Sequence, residues 1–83
     1  MKIKKVNLRK IKHLRKRERL SLNKMSELLG YESQNGYYYL ESGRNKFSAE
    51  TLAKVSDIFK VQIDELFFEE EIAEMAKGKT HSA

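Results

Sequence analysis

Residues 21–43 read SLNKMSELLGYESQNGYYYLESG, and the fold turns on this stretch. Ser21 is a good N-cap, because its hydroxyl can accept from a backbone amide in the first helical turn. Met25, Leu28 and Leu29 follow at helical spacing, and Gly30 can take the left-handed conformation that ends a helix. Ser33 then caps a second helix, which ends at Gly43 by the same device. Two short helices are thus joined by a tight turn. The second has an unusual face, with Gln34 and Asn35 on its first turn and Tyr37, Tyr38 and Tyr39 on the next. Amides at a helix N-terminus can pair bidentately with an adenine edge in a major groove.

The flanking sequence is helical by the same criteria. Asn7 is a good N-cap for a helix to about Glu18, with Leu8, Ile11 and Leu14 as its apolar stripe and Arg15 beside them. Ser48 caps another, in which Glu50 suits the helix dipole and Leu52, Val55, Ile58 and Phe59 face inward. A fifth begins near Gln62 or Ile63 and buries Ile63, Leu66 and Phe67. Phe68, Ile72, Met75 and Ala76 are also helically spaced, but a rotation of roughly 100° per residue puts them opposite that stripe. One helix cannot bury both faces in a small core. Either the chain bends near Glu69 or the second stripe packs on another molecule. β-Branched alternation is missing, so the expected fold class is all-α, with five helices and a C-terminal helical extension or a bent fifth helix.

Eighty-three residues make one small domain. The chain has no cysteine, hence no disulfide or thiolate metal site, and an intracellular setting is the simple reading. No apolar run approaches the roughly 20 residues that span a bilayer, and no apolar signal segment follows the basic N-terminus. A soluble, cytoplasmic protein without a membrane partner is expected. The net charge of +5 hides a strong polarity. Residues 1–19 carry ten Lys/Arg against one acid, whereas residues 61–76 carry six acids and no base. One end attracts polyanions and the other repels them. A basic run beside a helix with groove-reading amides makes nucleic acid the better partner.

Leu14-Arg15, Leu20-Ser21, Met25-Ser26-Glu27-Leu28-Leu29-Gly30, Leu40-Glu41-Ser42-Gly43-Arg44, Glu50-Thr51-Leu52 and Val61-Gln62-Ile63-Asp64-Glu65-Leu66 follow one another at telling spacings. On these pieces the run from Ile11 to Phe68 resembles the Cro/lambda-repressor-like helix-turn-helix family, also called the XRE family. The resemblance implies a five-helix domain whose third helix lies in the major groove while the second crosses the backbone above it. It also implies that Arg15 pairs with Glu41 as a structural anchor. Ser33, Gln34, Asn35, Tyr38 and Tyr39 match the positions that enter the groove. Gln34 and Asn35 would read adenines, with Tyr38 and Tyr39 on thymine methyls or phosphates, and Tyr37 falls at a core position. Phosphate contacts are implied for Asn23, Ser33, Arg44, Asn45 and Lys46, and the N-terminal lysines would form a basic arm.

Some positions depart from the family pattern. Leu22 stands where many members place a phosphate-holding glutamine, and the turn from Gly30 to Ser33 is one residue longer than the commonest version. Gly36 lies inside a helix, where close approach to DNA is one explanation. Arg19 and Lys60 occupy positions where relatives often have helix-ending glycines.

The expected function is sequence-specific DNA binding by a transcriptional regulator. The simplest form is a repressor holding an operator as a homodimer, with half-sites about 34 Å apart. The alternative is a protein-interaction module of the same fold, an antitoxin or a binder of a second regulatory protein, acting through the tyrosines or the Phe68, Ile72 and Met75 stripe. That stripe is also the candidate dimer contact. Catalysis is not expected. His13 and His81 are the only histidines, no nucleophile–base arrangement is visible, and Glu69, Glu70 and Glu71 would point three ways on a helix. No catalytic residue, metal site or cofactor is therefore assigned. Residues 1–68 are read as the DNA-binding domain with its basic arm, and 69–83 as an acidic amphipathic extension ending in a disordered tail.

Overall fold

Three polar side chains set the helix starts. In the computed structural model, which describes residues 2–71, Asn7 Oδ1 accepts from Lys10 N at 3.0 Å, Ser21 Oγ from Lys24 N at 2.9 Å, and Ser48 Oγ from Thr51 N at 3.1 Å. Each satisfies an amide that the first turn leaves without a partner. They open α1 (Leu8–Arg17), α2 (Leu22–Leu29) and α4 (Ala49–Phe59), with α3 (Gln34–Glu41) between the last two. Gly30 and Gly43 end α2 and α3 at φ of +88° and +87°. Arg19 and Lys60 adopt the same left-handed region, at φ of 59° and 58°, without glycine's freedom. Each holds a conformation that costs a side chain about 1 kcal/mol.

The four helices enclose one core. Ile11 and Leu14 come from α1, Met25 and Leu29 from α2, Tyr37 and Leu40 from α3, and Leu52, Val55 and Phe59 from α4. Leu66 closes it from a short 3-10 turn, Ile63–Leu66, whose Glu65 carboxylate accepts from Gln62 N at 3.1 Å. Leu28 and Ile63, expected inside, are exposed.

Among the described residues the fifth helix is absent, and the fold is not strictly all-α. After the 3-10 turn the chain becomes extended as β2 (Phe67–Glu71), which pairs antiparallel with β1 (Lys2–Val6). The basic N-terminal stretch, expected as an arm, is therefore a strand. The register sets Lys2 opposite Glu71, Ile3 opposite Glu70, Lys4 opposite Glu69, Lys5 opposite Phe68 and Val6 opposite Phe67. At the base, Asn7 N donates to Leu66 O at 2.8 Å, and Val6 and Phe67 pack against the core.

The physical reason lies in Phe67 and Phe68 together. A helix would turn these neighbours only about 100° apart and bring a second apolar stripe round to solvent. An extended strand sends them to opposite faces, so Phe67 packs inward and Phe68 outward. Glutamate is a poor strand former, but here three of them face a strand that carries three lysines. Lys5 Nζ meets Glu70 Oε1 at 2.9 Å. Phe68, one of the three expected dimer contacts, is 44% exposed on this ribbon. Ile72 and Met75, like the expected disordered tail, lie outside the described residues.

Candidate nucleic-acid interface

Helix α3 is fixed to the scaffold by a buried fork. Arg15 Nε and Nη2 donate to Glu41 Oε1 and Oε2 at 2.8 and 3.0 Å, and Nη1 donates to Leu20 O at 2.7 Å. The bidentate geometry defines the angle between α1 and α3, while the third bond ties in the α1–α2 turn. Hydrogen bonding to Glu41 raises the Arg15 pKa above its usual value, against the opposing effect of burial. Tyr37 is fully buried beside this pair. Burial, and secondarily the Glu41 carboxylate, push its phenol well above the usual range.

Two further contacts hold the first turn of α3, and neither was anticipated from sequence. Ser26 Oγ, buried in the middle of α2, accepts from Tyr37 N at 3.2 Å. Tyr31, in the longer turn before α3, lays the root of its ring on the backbone of Gly36. A Cβ at position 36 would lie 2.6 Å from Tyr31 Cγ and 2.7 Å from Cδ1. The contact with Tyr31 thus accounts for a glycine at position 36. The available signal was the pair itself: an aromatic residue in a lengthened turn, five positions before a glycine that a helix would otherwise reject.

With Tyr37, Leu40 and Glu41 turned inward, α3 presents Gln34, Asn35 and Tyr38 to solvent. These share one face, since they are related by three- and four-residue steps. Ser33 occupies the N-cap position but its side chain makes no cap hydrogen bond. Tyr39 is only partly exposed. Its ring lies 5.9 Å from that of Tyr38, and the Arg44 guanidinium carbon sits 4.7 Å above its centre. Its carbonyl accepts from Asn45 N at 2.9 Å. Tyr39 therefore organises the loop of Arg44, Asn45 and Lys46, all exposed, which follows the C-terminal end of α3. Asn23 is exposed on the first turn of α2.

Two helices of eight residues, a turn pinned by Tyr31, and a second helix clamped at both ends with polar groups outward make a helix-turn-helix. A helix-turn-helix family model matches residues 11–66. The chain belongs to the Cro/lambda-repressor-like (XRE) helix-turn-helix family. No curated protein and no solved structure matches it. The matched span begins inside α1 and ends with the 3-10 turn, so both strands lie outside it. Membership makes this a DNA-binding transcription regulator, of a family that is not typically enzymatic. Among the described residues no helix is long and apolar enough to cross a membrane.

Proposed function

We propose that the protein is a sequence-specific repressor that occupies an operator as a homodimer, with α3 in the major groove. The observation that carries this reading is the division of α3 into two faces. Tyr37, Leu40 and Glu41 are buried, while Gln34, Asn35 and Tyr38 are free to meet base edges. Gln34 and Asn35 each present a donor and an acceptor, the pattern that adenine N7 and N6 require, with about 1–3 kcal/mol of discrimination per good contact. Tyr38 supplies an apolar surface for a thymine methyl. Tyr39, half-covered by Arg44, contributes at the margin and chiefly steadies that arginine. Arg44, Asn45, Lys46, Asn23 and Ser33 then take phosphates, which fix register and not sequence.

Domain 1–68 carries this activity in the proposal. Phe68, exposed on the ribbon, is the dimer contact that the described residues offer. The test is binding of Gln34→Ala and Asn35→Ala to a selected operator and to random duplex. Each should lose the preference for the operator and keep the affinity for random DNA. Variants that still prefer the operator as strongly as the parent chain would show that other residues read the bases.

A further inference from the structure

The strand β1 and the loop after α3 are the two walls of a groove of about 470 Å³. Lys4 and Lys5 from β1, Asn45 and Lys46 from the loop, and the apolar Leu8 and Phe47 line it. No acid lines it. Lys5 is engaged by Glu70 at 2.9 Å. Lys4, which has Glu69 opposite it on β2, and Lys46 make no ion pair among the described residues, so the groove carries two ammonium groups not held by a carboxylate. Cations held this way attract a polyanion that can thread the space between them.

The groove is continuous with the reading surface. Gly43 borders it, and the next residue, Arg44, lies over the Tyr39 ring. Asn45, tied to Tyr39 O, belongs to both. A phosphate chain that passes Arg44 would meet Lys46 and then Lys4. We infer that the DNA sugar–phosphate backbone occupies this groove, which makes the β-ribbon part of the DNA interface. This rests on the placement of α3 in the major groove. Lys46 and Lys4 each hold a phosphate as a point charge, the Asn45 amide supplies a donor, and Leu8 and Phe47 lie against the deoxyribose face. An acidic peptide would satisfy the charge, but it would have no use for the continuity with α3.

The experiment compares Lys4→Gln, Lys46→Gln and Lys2→Gln on random-sequence duplex, titrated from about 50 to 300 mM salt. Lys2 shares the ribbon face and the charge of Lys4 but does not line the groove. Losing one phosphate contact should reduce the slope of log K against log salt by about 0.9 and weaken binding about eightfold near 0.1 M. Lys4→Gln and Lys46→Gln should each show this while the ranking of preferred sequences stays unchanged. Lys4→Arg should restore the slope, and Lys2→Gln should move it far less. A parental slope in Lys4→Gln, or an equal loss in Lys2→Gln, overturns the groove while leaving the reading of α3 intact. A parent chain that binds no duplex at low salt overturns both. In that case poly-glutamate binding that depends on Lys4 would identify an acidic peptide as the occupant.

Discussion

Replacing Gly36 with alanine sets helix propensity against one side-chain contact. In an unobstructed helix interior the change should stabilise by about 1 kcal/mol, because alanine restricts the unfolded chain and favours the helix. Here the new methyl would sit 2.6–2.8 Å from Cγ, Cδ1 and Cβ of Tyr31. These atoms are the root of the side chain, so no swing of a flexible end relieves the overlap. Either Tyr31 leaves its rotamer or the Gly30–Ser33 turn shifts, and overpacking of this kind costs about 1–3 kcal/mol. The balance is a net loss of up to about 2 kcal/mol, or some 4–8 °C in Tm per kcal/mol for a domain this size. With Tyr31→Gly in place Cβ, Cγ and Cδ1 are all removed and the obstruction is gone, and Gly36→Ala should then gain its full ~1 kcal/mol. Urea denaturation of the parent, both single variants and the double variant gives the coupling directly, expected at about 1–3 kcal/mol. A coupling below about 0.5 kcal/mol, with Gly36→Ala stabilising in both backgrounds, would refute the idea that Tyr31 dictates the glycine.

Two further outcomes follow from the buried cluster. Arg15→Met strands the Glu41 carboxylate and Glu41→Leu strands the guanidinium, so either should destabilise by about 3–5 kcal/mol, whereas the double variant should recover most of that in the same denaturation assay. The phenol of Tyr37 titrates higher in the folded chain than its ordinary value of 10.0, so the folded state keeps a proton that the unfolded state releases. Its contribution is complete below about pH 10 and is lost as pH rises beyond it, so the fall in Tm above pH 10 should be shallower in Tyr37→Phe than in the parent.

What was legible in the sequence is what a few neighbouring residues decide. Asn7, Ser21 and Ser48 announce their helices because a cap acts within three residues, and Gly30 and Gly43 mark the ends for the same reason. The positions of Arg15, Glu41 and Tyr37 were given by resemblance, and the structure brings all three together in the core. The strands escaped notice because each is convincing only in the presence of the other. Lys2–Val6 is a basic run and Phe67–Glu71 an acidic one, and neither has the alternation that marks a strand on its own. Local periodicity, correctly applied, assigned the second run to a helix that the core could not accommodate. The role of Gly36 was hidden for a related reason, since its partner Tyr31 lies outside the helix whose rules made the glycine look costly.

The pairing of β1 with β2 has a consequence in time. Lys2 is synthesised before α1, and its partner Glu71 only after α4. Contacts within and between successive helices close short loops, whereas the ribbon closes almost the whole described chain on itself. The helices can therefore settle while the lysines of β1 are still unpaired and exposed to any polyanion nearby. Synthesis of Phe67–Glu71 ends that interval, drawing Lys5 onto Glu70 and fixing Lys4 at the groove it lines together with Lys46.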